Sequence, residues 1–264
     1  MSPGLLLERD SHDAELNAAL AAVMAGTGAL ALVSGEAGIG KSSLVEAFAE
    51  RAAARGTRVL RGSCDSLFTP RPLGPVLDIA RAAGGRLAAA ASYDDPERGR
   101  ERLFGALLDE LKRAPAVVVF EDVHWADEAT LDLLRFLGRR VRETRALIVL
   151  THRDDELGGT HPLRGVIADL PRAAVRRIPL ARLSEAAVAQ LARAVRSSRT
   201  PAAVHALTGG NPFFVSEVLA ADADAVPASV RDAVIARASR LDDAARAVLD
   251  VVALVPGRCE RALI

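Results

Sequence analysis

Short apolar runs alternate with helical patterns along the first two thirds of the chain. Residues 29–34, 116–120 and 146–150 are almost uniformly apolar, which is typical of strands buried on both faces of a sheet. Residues 58–62 and 175–180 are weaker strand candidates. This alternation predicts an α/β domain in which helices cover a parallel sheet.

Helical periodicity fills the segments between these strands. After the first strand, Leu44, Val45 and Phe48 recur at helical spacing, and Gly56 ends the pattern. The other helices of this region are predicted near residues 76–83, 97–113 and 127–141.

The pattern changes at Ser184, after which no strand signal remains. Ser184 is predicted to cap a helix that ends near Val195, and a second helix runs from Pro201 to the break at Gly209 and Gly210. Residues 222–227 are predicted to form a short linker before two more helices, the last over residues 242–254. The chain is therefore expected to have an α/β core to residue 181 and a helical part after it.

Composition narrows the class of protein. Half of the 264 residues are apolar but only 3% are aromatic, so the core must be built mainly from Ala, Leu and Val. The formal charge is zero, which argues against direct binding of nucleic acid by a broad basic surface. Cys64 and Cys259 fit no metal-binding spacing, and no apolar run approaches the ~18 residues of a membrane span. We expect a reduced, cytoplasmic protein without membrane contact.

A phosphate-binding motif follows the first strand. Residues 35–42 match the pattern G-x-x-x-x-G-K-[ST], in which glycine amides wrap phosphates, lysine reaches the β- and γ-phosphates, and the hydroxyl binds Mg²⁺. Lys41 is conspicuous because the chain otherwise uses arginine, with Lys112 as its one other lysine. The residues predicted to bind nucleotide here are Gly35, Glu36, Ala37, Gly38, Ile39, Gly40, Lys41, Ser42 and Ser43.

An acidic pair follows the clearest strand of the chain. Glu121 and Asp122 come directly after residues 116–120, at the carboxyl end of a predicted parallel strand, where ligands bind in such sheets. We predict that Ser42 and Glu121 hold Mg²⁺ and that Asp122 orients the attacking water. A glutamate in the first position departs from the usual pattern, so the two carboxylate roles are open to exchange, and Asp122 is also a predicted metal ligand.

Two further features have competing interpretations. Arg153 follows the 146–150 strand, where it could contact a γ-phosphate or be an ordinary surface arginine. Pro212 lies in the first turn of a helix that restarts after Gly209 and Gly210. That break is either an ordinary end of one helix before the next or part of a lid that contacts the nucleotide base.

These motifs together resemble the STAND class of signalling P-loop ATPases, and most of all the ATPase module of large ATP-binding LuxR-type transcriptional regulators of bacteria. The residues that carry the resemblance are Gly35 to Ser42, Phe120 to Asp127, Thr151-His152-Arg153 and Gly209 to Phe214. The segment around Arg9 resembles the family's opening G-R-x-x-E element, which borders the adenine, although Glu8 replaces the usual glycine.

The resemblance implies a three-layer ASCE P-loop sheet with strand order 5-1-4-3-2, a helical lid and the start of a winged-helix domain. The corresponding domain bounds are residues 1–181, 182–225 and 226–264. It also implies a switch that holds ADP at rest and ATP when active, with self-association in the ATP state. We expect the effector or DNA-binding domain to lie in further sequence beyond this chain.

The resemblance favours a regulatory switch with weak, Mg²⁺-dependent ATP hydrolysis, and two alternatives are open. One is an AAA+-type turnover ATPase that acts as an oligomeric loader or remodelling factor, with Arg139 or Arg140 donated in trans. The other is a remnant that holds nucleotide but neither switches nor hydrolyses it. The intact Lys41, Ser42 and acidic pair argue against that last possibility.

Overall fold

The predicted apolar runs form one five-stranded parallel sheet in the structure, a computed structural model that describes residues 6–66, 69, 71–92, 96–221, 228–239 and 241–254. The sheet order is β2-β3-β4-β1-β5, which confirms the order that the family resemblance implied. The strands are β1 (Ala29–Ser34), β2 (Arg58–Ser63), β3 (Ala116–Glu121), β4 (Ala146–His152) and β5 (Val175–Pro179).

The chain divides into two compact units, one ending at Arg182 and the other beginning at Leu183. The first unit holds the sheet and the helices α1 (Asp10–Met24), α2 (Lys41–Ala54), α3 (Gly74–Ala83), α4 (Gly85–Ala91), α5 (Pro96–Arg113), α6 (Glu128–Arg140) and α7 (Pro162–Asp169). The second holds α8 (Glu185–Ala194), α9 (Pro201–Thr208), α10 (Pro212–Ala220), α11 (Ala228–Ala238) and α12 (Asp243–Ala253).

Alternation along the strands builds two separate cores. In β1, Leu30 and Leu32 belong to one buried cluster, whereas Ala31 and Val33 belong to the other. The first cluster is completed by α3 to α7 and the second by α1 and α2. Because successive strand side chains point to opposite faces, a strand that is apolar throughout requires helices on both sides. The three-layer architecture follows from this requirement.

In the second unit, the helices pack in sequence around a close backbone contact. Helix α8 packs on α9 and α9 on α10, and the Leu183 amide donates to the Gly210 carbonyl at 2.8 Å. Gly210 has φ of 78°, and a Cβ at this position would lie 2.2 Å from the Leu183 carbonyl oxygen. A glycine is therefore required at this helix break for steric reasons alone.

The predicted helices are present, and three helices that the pattern did not predict are added, namely α1, α4 and α7. The predicted linker at residues 222–227, together with Cys259 and the rest of 255–264, lies outside the described residues. The winged-helix assignment stays a prediction. None of the helices in the described ranges is both long and apolar enough to cross a membrane.

The Cys64 thiol should be inert in the folded protein. Cys64 is 4% exposed, and burial raises the pKa of its thiol to about 12. At pH 8 the thiolate fraction is then about 10⁻⁴, and the thiolate is the reactive form. We expect a Cys259→Ser variant to react with Ellman's reagent only after guanidinium unfolds it. Rapid stoichiometric reaction of the native variant would contradict the packing around β2.

Candidate functional site

The loop between β1 and α2 is shaped to receive an anion. Gly40 directly precedes the first residue of α2. Its φ is 95°, a left-handed conformation that residues other than glycine rarely adopt. Since Gly40 has no side chain with which to cap the helix, the first amides of α2 stay available at the helix's positive end. This arrangement of a glycine loop and a helix N-terminus is the usual protein site for a phosphate.

Lys41 lies across this loop. Its Nζ donates to the carbonyl oxygens of Gly35 at 2.8 Å and Glu36 at 2.9 Å, and the residue is only 6% exposed. Burial lowers the pKa of the ammonium group, and the nearby Asp122 carboxylate acts in the opposite direction. A largely desolvated cation at the mouth of the loop attracts anionic ligands strongly.

The acidic pair meets the loop at the same edge of the sheet. Glu121 ends β3 and shares a side-chain hydrogen bond with Ser42, the second residue of α2. Asp122 follows in a left-handed conformation with φ of 52°, and its amide donates to the Thr151 hydroxyl at 2.9 Å. The structure therefore brings Ser42, Glu121 and Asp122 together, and it adds Thr151 as the group that fixes the Asp122 backbone.

Electrostatics at this edge favour a cation. Burial raises the pKa of both the Glu121 and the Asp122 carboxyl groups. Arg61 and the Ser42 hydrogen bond lower the pKa of Glu121, while Arg153 and Lys41 lower that of Asp122. A metal cation beside these half-buried carboxylates would stabilise their charged forms.

The donor set fits Mg²⁺ shared with a nucleotide. Hydroxyl and carboxylate oxygens suit this hard cation, which binds through one or two carboxylates together with substrate phosphates and water. Within the described ranges, no group of three or more His, Cys, Asp or Glu side chains could hold a metal without such a ligand. The residues therefore match a metal that arrives with phosphates.

Arg153 lies at this edge in an ion pair. Its guanidinium pairs with the Glu156 carboxylate and lies 4.8 Å from the centre of the Trp125 ring. Its charge acts on the pKa of both Lys41 and Asp122, which places it near the mouth of the loop. Arg153 is therefore already paired with a carboxylate at this edge.

Arg9 braces the backbone of the loop. It is 4% exposed, and its guanidinium donates to the carbonyl oxygens of Ile39 at 3.1 Å, Ala181 at 2.8 Å and Glu8 at 3.1 Å. These bonds join the start of α1, the loop between β1 and α2, and the segment after β5. Contact between Arg9 and a nucleotide stays a prediction.

A second brace was not predicted from the sequence. The Glu36 carboxylate accepts a hydrogen bond from Arg182 at 2.7 Å, and the Leu180 amide donates to the Ser34 carbonyl at 2.8 Å. The segment after β5 is therefore bonded to both ends of the 34–36 stretch. The distance of 146 residues between Glu36 and Arg182 hides this contact from any local pattern.

Three other predicted residues lie apart from this edge or in the other unit. Arg140 packs on Phe136 of its own helix, with its guanidinium 4.0 Å from the ring centre and donating to the Phe136 carbonyl at 3.1 Å, whereas Arg139 is exposed. Pro212 begins α10 in the unit that starts at Leu183. Its contact with nucleotide stays a prediction.

Replacing Glu8 with glycine should stabilise the protein. Glu8 has φ of 55°, the left-handed conformation that costs a non-glycine residue about 1–2 kcal/mol. After the flexibility that glycine adds to the unfolded chain is subtracted, Glu8→Gly should raise the free energy of unfolding by about 0.5–1 kcal/mol. Urea unfolding tests this, with Glu15→Gly in α1 as the control that should lose about 1 kcal/mol. A loss of stability in Glu8→Gly would contradict the conformation assigned here.

The fold and parts of the sequence are shared with known proteins. An uncharacterized protein of Rhizobium meliloti (strain 1021) is 28% identical over 260 aligned positions, which cover 81% of this chain and 25% of that protein. The chain thus spans about a quarter of the length of that relative.

Two solved structures share the fold. The Aeropyrum pernix ORC1 protein in complex with DNA has 17% identity and a TM-score of 0.56, covering 96% of this chain and 73% of that one. The replication initiator DnaA bound to AMPPCP and single-stranded DNA has 13% identity and a TM-score of 0.52, covering 97% and 72%. At these identities the likeness concerns the fold alone.

Residues 5–150 match the family model described as AAA ATPase domain. P-loop ATPases of this kind bind nucleotide, usually together with Mg²⁺. Since the match spans more than half of the chain, from the first helix through the loop and the acidic pair to β4, the chain belongs to the AAA ATPase domain family.

Proposed function

We propose that this chain is an ATP-binding switch module with slow, Mg²⁺-dependent hydrolysis. The observation that carries the proposal is the pairing of Arg153 with Glu156 at the edge that also gathers Lys41, Ser42 and the acidic pair. An arginine held in this way can report a γ-phosphate, because a phosphate at that position can compete with Glu156 for the guanidinium. ATP and ADP would then favour different arrangements of the same side chains.

Each residue of the site has a proposed role. The amides of residues 35–43 and the Lys41 ammonium bind the phosphates, and the Ser42 hydroxyl and the Glu121 carboxylate hold Mg²⁺, with Asp122 beside them. When bound, Mg²⁺ would neutralise charge on the phosphate oxygens. The Asp122 carboxylate orients the attacking water, and the Thr151 hydroxyl fixes its backbone.

Slow hydrolysis is proposed because rapid turnover in related ATPases depends on an additional arginine. Such an arginine raises the rate by about 10³–10⁵-fold, and a neighbouring subunit often supplies it. Arg140 is engaged on its own helix, which leaves exposed Arg139 as the candidate donor. The alternative of an oligomeric turnover ATPase, a loader or remodelling factor, therefore rests on Arg139.

The wider role is proposed from the motif resemblance. It suggests the ATPase part of a larger, signal-responsive transcriptional regulator in the cytoplasm, with self-association in the ATP state. Helices α8 to α10 would form the lid, and α11 and α12 would begin a winged-helix domain. The length of the Rhizobium meliloti relative is compatible with additional effector or DNA-binding domains.

Lys41→Ala should remove phosphate binding without unfolding the chain. The substitution deletes the cation at the loop mouth, and a loss of about 3 kcal/mol or more corresponds to an affinity for MgATP at least 100-fold weaker. Isothermal titration with MgATP and MgADP measures this, with thermal unfolding as the check on folding. Unchanged affinity in Lys41→Ala would contradict the assignment of the site.

Turnover distinguishes the switch from its alternative. We expect the purified chain to hydrolyse MgATP well below ~1 s⁻¹, the low end for ordinary enzymes, at every protein concentration tested. Lys41→Ala gives the blank, and Arg139→Ala should have little effect. Turnover that rises steeply with protein concentration and falls in Arg139→Ala would instead support the oligomeric ATPase.

Asp122→Asn should separate binding from hydrolysis. The amide keeps the size of the side chain but removes the carboxylate that orients water, so single-turnover hydrolysis should fall by about 10²-fold or more while MgATP affinity changes little. Glu121→Gln is the comparison variant and should instead weaken the dependence of binding on Mg²⁺. The opposite pattern would exchange the two carboxylate roles.

A further inference from the structure

His124 is buried next to the acidic pair without hydrogen bonds to its ring. It lies in a 3₁₀ turn at Val123–Trp125, directly after Asp122, and its side chain is 1% exposed. Neither ring nitrogen has a hydrogen-bond partner within the described part of the chain. Because buried polar groups are nearly always hydrogen-bonded, a histidine left in this state suggests contacts that form in another arrangement of the site.

Two carboxylates face the two ring nitrogens. Nδ1 lies 3.8 Å from an Asp122 carboxylate oxygen, and Nε2 lies 3.6 Å from a Glu156 carboxylate oxygen. Each distance exceeds a hydrogen bond by less than 1 Å, so a small side-chain movement would complete either one. A neutral imidazole has one N–H and can donate to one carboxylate at a time.

The ring also joins the two halves of the proposed mechanism. Glu156 is the partner of Arg153, the proposed phosphate sensor, and Asp122 is the proposed water-orienting group. The His124 ring lies 4.5 Å from the Trp125 ring, over which the Arg153 guanidinium packs. A chain of contacts therefore runs from Arg153 through Glu156 and His124 to Asp122.

We propose that His124 is a positioning residue that couples Asp122 to the Arg153–Glu156 pair. This inference rests on the proposed function. While Arg153 neutralises Glu156, the ring N–H lies on Nδ1 and holds the Asp122 carboxylate. When a γ-phosphate draws Arg153 away, Glu156 becomes the stronger acceptor and the N–H lies on Nε2. The ring stays neutral, since Nδ1 gives its proton to water as Nε2 takes one from water, and Asp122 is released to accept a hydrogen bond from water.

Two isosteric substitutions separate the two positions of this N–H. His124→Asn places an amide donor near the position of Nδ1 and so keeps Asp122 held, whereas His124→Gln extends a donor toward Glu156. His124→Asn should lower single-turnover hydrolysis by about tenfold, a typical coupling free energy, and lower the preference for a non-hydrolysable ATP analogue over ADP by a similar factor. His124→Gln should lose less than about threefold in each.

The relative size of the losses in the two variants tests the coupling. Equal losses in both, the reverse order, or no loss in either would overturn the coupling and leave His124 as a packing residue. Affinity ratios come from calorimetry, and thermal unfolding shows whether both variants are folded. If wild-type protein binds no MgATP, the proposed function fails first; if it binds MgATP and the two variants behave alike, the role of His124 alone fails.

Glu156→Gln provides an independent test of the proposal and leaves His124 intact. The uncharged side chain frees Arg153 and can donate to Nε2, which keeps the ring N–H on Asp122. We expect the ATP analogue to bind more tightly while single-turnover hydrolysis falls, by about fivefold or more in each direction. Hydrolysis that rises together with affinity would overturn the proposal even if His124→Asn fails to fold.

Discussion

The architecture depends on burying both faces of the parallel strands. Because β1, β3 and β4 are apolar up to their carboxyl ends, helices must cover both sides, and each connection returns the chain to the same end of the sheet. The carboxyl ends of these three strands therefore meet at one edge, which gathers the P-loop, the acidic pair and the segment from Thr151 to Arg153. The polar residues lie at this edge because the rest of each strand is apolar and buried.

Much of this could be predicted from the sequence, because the strongest signals are local. The uniformly apolar strands and the glycine-lysine loop each appear within about eight residues. Helix α1 was missed because alanines lie on both of its faces, so buried Leu16, Leu20 and Val23 contrast little with their neighbours. Helices α4 and α7, of 7 and 8 residues, are too short for a clear periodic signal.

The site was predictable in its chemistry but not in its contacts. Local motifs predict which residues bind phosphate or metal, whereas the contacts of Thr151 with Asp122 and of Arg182 with Glu36 join segments that become neighbours only after folding. Arg9 shows the difference most clearly. Its motif indicates a place near the nucleotide, yet its three bonds to backbone carbonyls give it a direct task in holding the loop. A motif identifies a neighbourhood, and the bonding partners decide the role within it.

The pairing of Arg153 with Glu156 explains how one site could serve both as an ATPase and as a switch. Both side chains are partly buried, so separating them removes a charged partner from a partly desolvated carboxylate. A phosphate can compensate Arg153, but it can do nothing for Glu156. In the proposed function, the cost of binding the γ-phosphate would therefore depend in part on what else faces Glu156, and the His124 ring lies within 4 Å of it. If the proposed function is correct, the difference between ATP and ADP in this site is set by a carboxylate that neither nucleotide needs to touch.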